Sequence, residues 1–311
     1  MKKSSAYDLM VIVAWMYYED GLTQEEIAKQ LKISRVSISR ILQAAQKENI
    51  VKIQITQPRP LLLELSLKLK EKFGLEKSII VPNSDNTQES VGKAAAEYLE
   101  EAINTYNHIG VGWSSTLSCL THYLPRYASP VNCKVNELAG NMLHEQNPYS
   151  ISPYLVQSFG VSLESLPVPA IVDNNEVRET FLKEPSIVKA LDSAKKVEIA
   201  FVGLGEATAT NTMVRTGHLT ESEIEEIRKK NGVGEILLHF FDQNGNHINS
   251  SLESRLISID WESLINIPQL VLVAVGSKKV EAIVGALRGN LIHCLITDSE
   301  TAKEVLQASE E

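Results

Sequence analysis

The first 75 residues carry apolar side chains at helical steps. Leu9, Ile12, Val13, Met16 and Tyr17 form a stripe that predicts a helix over 6–19, ended by Gly21. In "TQEEIAKQL", Thr23 is placed as an N-cap and Glu26 stands three residues on, the capping-box spacing, while Ile27, Ala28 and Leu31 share a face. Ser34 then caps "SRVSISRILQAAQKENI", whose inward face is Ile38, Ile41, Leu42 and Ala45. "VKIQI" (51–55) alternates and predicts a small strand, and "QPRP" (57–60) breaks any helix. "LLLELSLKLKEKFGL" puts Leu61, Leu62, Leu65, Leu69 and Phe73 along one side of a helix. That stripe suits packing against a partner subunit or against the chain's own following domain, and both readings stand.

From residue 77 onward, apolar runs alternate with helical patterns. The runs at 78–81, 108–112, 134–138, 197–203, 270–276 and 291–297 predict strands. The stretches 88–103, 115–124, 148–160, 177–194, 221–230, 277–287 and 299–308 predict helices. Such alternation implies an α/β fold, a mostly parallel sheet with helices on both faces. Ligands of such sheets bind at the carboxyl ends of the strands. At 311 residues the chain exceeds one ordinary domain. The prolines set the expected boundary near 56–60, giving a small domain over 1–56 and a larger one over 57–311, the latter entered through a helix at 61–73.

Charge sharpens this division. Residues 1–60 hold nine Lys/Arg against six Asp/Glu, a net of +3, while the whole chain carries −9. The small domain can approach a polyanion that the remainder would repel. No 18-residue apolar run predicts a membrane span, and the start is too polar for a secretion signal, so a cytoplasmic protein is expected. Cys119, Cys133 and Cys294 are odd in number and lack a C-x-x-C pair, so free thiols are expected. The histidines show no H-E-x-x-H or H-x-H spacing, and His239 and His247 stand eight apart, so no metal site is expected and no cofactor is implied.

Two short helices with a tight break, the second capped and carrying early basic and hydroxyl groups, form the helix-turn-helix pattern. Its second helix enters the major groove of double-stranded DNA. Arg35, Val36, Ser37 and Arg40 point outward there, with the caps Thr23 and Ser34 beside them; arginine and serine suit base edges or phosphates. A plain helical hairpin with solvated arginines is the alternative. In the larger domain, "GVGWSSTLSCL" ends a strand at Gly112 and opens a helix with Ser114, Ser115 and Thr116, which suits an anion or simple capping. "VAVGSKKVEAIVGALRG" puts Lys278 and Lys279 at a helix start, against the macrodipole, as an anion would offset or as two surface lysines would also read. "FVGLGEAT" has Gly203 and Gly205 but Thr208 at the third position, and no G-K-[ST] follows a glycine loop, so nucleotide binding is disfavoured.

"YYEDGLTQEEIAKQLKISRVSISRIL" resembles the DNA-binding segment of the SorC family of sugar-responsive bacterial transcription regulators. The same resemblance runs through "GVGWSST", "VNELAGN", "IAFVGLGEATAT", "GVGEILLHFFDQNGN", "VAVGSKKVEAIVGALRG" and "LITDSETAKEVL". It implies a winged helix-turn-helix domain joined to a Rossmann-like α/β domain related to phosphosugar isomerases and deaminases. It further implies an operator-DNA partner, a phosphorylated sugar or sugar-alcohol effector, and a homo-oligomer, dimer or tetramer. The effector's phosphate maps to Ser114, Ser115, Thr116 and Lys279, and its hydroxyls to Asp242. Gly112, Gly140, Asn141 and Gly205 lie in the motifs that line the same site. Ser114 and Asn141 stand where family members frequently have glycine, and Ala139 offers no amine for covalent capture of a sugar. The competing class is a phosphosugar isomerase or deaminase with an appended DNA-binding domain. That chemistry needs a placed base. Glu206 and Asp242 are the acids in the glycine-rich strand-end loops, and they show no clear base–acid pair.

Overall fold

The structure, a computed structural model, describes residues 2–48, 50–51, 60–142 and 149–310. The strand expected over 51–55 lies, but for Val51, outside the described residues. The chain divides into two compact units, Met1–Arg59 and Pro60–Glu311.

The first unit is three helices, α1 (Lys2–Tyr18), α2 (Gln24–Leu31) and α3 (Arg35–Lys47). Their apolar stripes meet in one cluster, in which Val13, Ile27 and Ile38 are fully buried and Leu42 nearly so. Ile12 departs from the expected face. It is exposed with Trp15, because the α1 stripe turns inward on Val13 and Ala14 instead. Lys32 takes a left-handed conformation (φ 56°) between α2 and α3 and closes α2 by donating its N–H to the Ala28 carbonyl. Gln46 Nε2 donates to Tyr18 Oη at 2.9 Å, which ties α3 back to α1.

The second unit opens with α4 (Leu61–Phe73), whose Leu65 and Leu69 are buried in this unit's own core. The strands follow: β1 (Lys77–Val81), β2 (His108–Val111), β3 (Lys134–Glu137), β4 (Ser162–Glu164) and β5 (Ile199–Val202). Next come β6 (Gly205–Glu206), β7 (Gly232–Ile236) and β8 (His239–Asp242), then β9 (Gln269–Val273) and β10 (Cys294–Asp298). Seven of these make one sheet in the order β1-β10-β9-β5-β2-β3-β4, parallel at every pairing. One apolar cluster holds α4 and the helices Val280–Arg288 and Ser299–Ala308. A second holds α5 (Thr87–Thr105) and the helix Ser152–Phe159. The parallel sheet with helices on both faces is thus observed.

Strands β6, β7 and β8 form a separate antiparallel sheet that sequence patterning misses. Glycines at 205, 232 and 234 dilute the apolar alternation that would mark it. β4 is three residues at the sheet edge and has no apolar run. The helix expected over 177–194 is two helices, Asn175–Phe181 and Pro185–Ala194, because Pro185 can begin a helix but not continue one. The expected helix over 115–124 is a short one, α6 (Ser115–Ser118), that tightens into a 3-10 turn, Cys119–Tyr123.

Leu69 is fully buried where α4 meets the sheet. Leu69→Ala is expected to cost about 2–5 kcal/mol of stability in the second unit. Urea denaturation followed by circular dichroism checks this, and an unchanged midpoint would contradict the packing described for α4.

Candidate functional site

In the first unit, Thr23 and Ser34 are spent on capping. Glu26 N–H donates to Thr23 Oγ1 at 3.3 Å and Thr23 N–H to Glu26 Oε2 at 2.8 Å, a complete capping box. Ser34 Oγ accepts from Ser37 N–H at 3.1 Å and lies 2.8 Å from Ser37 Oγ. These contacts set the break between α2 and α3 and leave the start of α3 open. Arg35, Val36 and Arg40 are exposed there, and Val36, at 62%, is an apolar side chain held in solvent. Among the described residues no carboxylate pairs with Arg35 or Arg40. Two unpaired guanidinium groups and an exposed methyl-bearing side chain on one helix are of the kinds that suit phosphates and base edges.

The cavity of the second unit follows from strand order. After β2 the chain moves outward through β3 and β4, while β5 pairs on the other side of β2 and leads toward β9, β10 and β1. The β2/β5 boundary is therefore the point where the order reverses, and a crevice opens beyond the strand ends there. It encloses about 440 Å³ and is lined by the loop after β2 (Trp113, Ser114, Ser115), the loop after β5 (Gly203 to Glu206), Glu235 of β7, and Lys278 and Lys279 after β9. Asn211 and Arg215 complete one wall.

Each loop is held by identifiable bonds. Ser114 Oγ accepts from Leu117 N–H at 2.9 Å and starts α6. Gly203 accommodates that serine, since a Cβ at Gly203 would stand 2.2 Å from Ser114 Cβ. A Cβ at Gly205 would lie 2.1 Å from Glu235 Oε1, so only glycine lets the carboxylate sit there. Glu235 Oε2 accepts from Leu238 N–H at 2.7 Å, and Asn211 Nδ2 donates to the Glu206 carbonyl at 2.8 Å. The lysine loop is pinned from behind. Asp298 caps the last helix through the N–H groups of Glu300 (2.9 Å) and Thr301 (3.1 Å) and accepts from the Thr301 hydroxyl. Thr301 Oγ1 in turn accepts from Gly276 N–H at 2.9 Å.

Charge in the cavity is dense. Burial pushes the Lys279 ammonium below its ordinary range, and the carboxylates of Glu206 and Glu235 counter part of that shift. Burial pushes the Glu235 carboxyl up, against the Leu238 N–H and Lys279, which favour its ionised form. Lys279 is half-buried whereas Lys278 is exposed, so the two lysines differ in kind although both reach the cavity.

Of the expected effector residues, Ser114, Ser115, Gly205 and Lys279 line the cavity together. Thr116 is buried beneath it at 1% exposure. Gly112 packs under Leu237, and the Gly140 carbonyl accepts from Trp113 Nε1 at 3.0 Å, so both act through a lining neighbour. Asn141 bridges to Pro169 next to residues outside the described set. Asp242 is not among the cavity's lining residues. It ends β8, and its carboxylate accepts from the N–H groups of Asn244 and Asn246, both at 2.9 Å. Trp113, Asn211, Arg215 and Glu235 line the cavity and are missed by sequence reasoning. Glu235 carried a signal, an acid directly after two glycines in "GVGEI"; Arg215 carried none.

A capped helix-turn-helix and a parallel-sheet domain with an anion-suited crevice define a transcriptional regulator with a small-molecule domain. Residues 59–307 match the family described as "Putative sugar-binding domain", and residues 12–47 match "Sigma-70, region 4". The deoxyribonucleoside regulator of Bacillus subtilis is 31% identical over 96% of this chain and 97% of its own. The erythritol catabolism regulatory protein EryD of Brucella abortus is 29% identical, with 96% of both chains covered. The full-length sorbitol operon regulator SorC of Klebsiella pneumoniae superposes with a TM-score of 0.75 at 25% identity, covering 96% of this chain and 98% of that one. The chain belongs to the SorC family of sugar-binding transcriptional regulators.

The raised Glu235 pKa has a defined sign. The folded state prefers the protonated carboxyl, so its contribution is fully present below the ordinary value of 4.5 and is lost as pH rises toward the elevated folded value. Glu235→Gln lacks that loss. Denaturant midpoints taken from pH 4 upward are expected to shift in favour of the variant as pH rises, and parallel curves would contradict the burial of the carboxyl.

Proposed function

We propose that this protein reads operator DNA of a carbohydrate-utilisation operon through α3 and is controlled by a phosphorylated sugar or sugar alcohol held in the crevice between the ends of β2, β5 and β9. The observation that carries the reading is the meeting of Ser115, the first-turn backbone of α6 and Lys279 around one cavity at the reversal of strand order. The N–H groups of a first helical turn lack partners within the helix. Together with a hydroxyl and a half-buried ammonium they suit a phosphate dianion, which would also relieve the burial of Lys279. Glu206, Asn211 and Glu235 on the opposite wall suit sugar hydroxyls. Thr116, Gly112, Gly140 and Asn141 shape the wall from behind, and Asp242 serves its own turn. The relatives named for a deoxyribonucleoside, erythritol and sorbitol support a sugar or polyol effector.

The effector acts by binding one of two conformations of a homo-oligomer more tightly, which alters how its DNA-reading heads engage two half-sites. A dimer is the minimum for two half-sites, and a tetramer satisfies the same geometry. Among the described residues no helix is long and apolar enough to cross a membrane, which is compatible with work in the cytoplasm.

A buried carboxyl in a crevice is also what proton abstraction from a phosphosugar would use. Here one oxygen of Glu235 is already held by Leu238 N–H, and relatives that cover 96% of the chain are named as regulators. We therefore assign binding without turnover, and incubation with phosphosugars is expected to leave them unaltered.

Two predictions test this reading. Arg35→Ala or Arg40→Ala is expected to weaken operator binding by about 1–3 kcal/mol where a base contact is lost, or evenly across sequences where a phosphate contact is lost. Unchanged gel shifts in both variants would remove α3 from the groove. Lys279→Ala is expected to weaken phosphosugar affinity roughly 10- to 100-fold while effector-free DNA binding stays near normal. Titration calorimetry beside gel shifts separates the two. Parent-like phosphosugar affinity in Lys279→Ala would move the phosphate elsewhere, with Lys278 the next residue to test.

A further inference from the structure

His239, His247 and Glu253 come together at a second cleft that shares no lining residue with the effector cavity. β8 carries His239 into the interior, the turn at Gly245 returns His247 beside it, and the 3-10 turn Ser251–Ser254 delivers Glu253. Glu253 Oε1 stands 3.2 Å from His239 Nδ1 and 2.9 Å from His247 Nε2. The other nitrogen of His239, Nε2, lies 2.8 Å from the Ile259 carbonyl oxygen. A carbonyl oxygen only accepts, so in this contact Nε2 donates, with the Ser258 hydroxyl a second neighbour at 3.0 Å. In the neutral ring Nδ1 is then a lone pair, and it faces a carboxylate oxygen that is also a lone pair. His239 is 2% exposed, so water does not separate them freely. Nδ1 and the Glu253 oxygen, 3.2 Å apart, then converge on one point that suits a cation.

The arrangement favours a metal ion. Two imidazoles and one carboxylate are a zinc donor set. Zinc–ligand bonds of about 2.0–2.1 Å in a tetrahedron put neighbouring donors about 3.3 Å apart. The two observed separations to Glu253 Oε1, 3.2 and 2.9 Å, lie close to that edge, and the three donor atoms all fall within 4.8 Å of one another. The bond from His239 Nε2 to a backbone carbonyl is the outer contact that aims an imidazole at a metal. His247 is held flat against Trp261, with ring centroids 4.6 Å apart and planes at 12°.

We propose that His239 Nδ1, His247 Nε2 and Glu253 Oε1 bind a divalent transition-metal ion, zinc by donor set, with a fourth position open to the cleft beside Arg178 and Trp261. The ion ties β8 and the turn after it to the 3-10 segment. The spacing of the histidines along the chain conceals the site, because a hairpin rather than one helix brings the ligands together.

The test is calorimetric titration of the chelator-treated full-length chain with zinc chloride, for the parent and for His247→Ala and Glu253→Gln. Glu253→Gln keeps the shape of the side chain, so it serves even where His247→Ala disturbs packing. One ion per chain is expected for the parent, with binding weakened by at least roughly 10- to 100-fold in each variant. Cobalt added to the parent is expected to give visible d–d bands without a thiolate charge-transfer band, which separates this site from Cys119, Cys133 and Cys294. A parent that takes up no zinc would overturn the proposal. Zinc held as tightly by both variants, or a thiolate band with cobalt, would overturn it equally.

Discussion

The constraint on which the second unit depends is that neighbouring parallel strands β2 and β5 lead away to opposite edges of one sheet. Backbone pairing in register, Ile109 to Ile199 and Val111 to Phe201, holds the two strand ends side by side. The chain leaves them in different directions, so no connection fills the space beyond. Every group lining the cavity is placed relative to that gap. Ser114 and Ser115 follow β2, Gly203 to Glu206 follow β5, and the lysines follow β9, which pairs with β5 on its far side.

Filling such a gap with charge has a cost, and the loops show how it is met. Lys279, Glu206 and Glu235 are drawn out of water together, and each partly compensates the burial of the other sign. The compensation works because the backbone is locked first. Gly203 and Gly205 admit Ser114 and Glu235 at distances that no Cβ would allow, and the Asp298–Thr301–Gly276 relay fixes the lysine loop from the last helix. Held groups of opposite sign line one cavity, the arrangement on which the proposed phosphosugar site rests.

The first unit works on shorter range. Its break is set by two caps and one left-handed residue, all within 12 residues of one another, and its core is a single small cluster. The hydroxyls of Thr23 and Ser34 are spent on caps, while the Arg35 and Arg40 side chains at the start of α3 stay exposed.

Where cause was local, it was legible in the chain. The capping box at Thr23 and Glu26, the cap at Ser34, the core face of α3, the buried strands and the loops around Ser114 and Lys279 all follow from residues within a few positions of one another. Helical and strand periods, and the chemistry of hydroxyls and ammonium groups at helix starts, act at that range. The order of the strands was not legible, nor was the identity of the cavity's far wall. Glu235 and Arg215 lie far in sequence from Ser115 and Lys279, and only sheet pairing and the β6–β7–β8 hairpin bring them across. Asp242 was assigned to sugar hydroxyls by the family resemblance alone; in the structure its carboxylate accepts from two N–H groups of its own turn. His239, His247 and Glu253 carried no recognisable spacing, because their meeting depends on how the hairpin closes. Periodicity reports which face of an element is buried; which faces meet is settled by packing between elements remote along the chain, and that belongs to the tertiary structure alone.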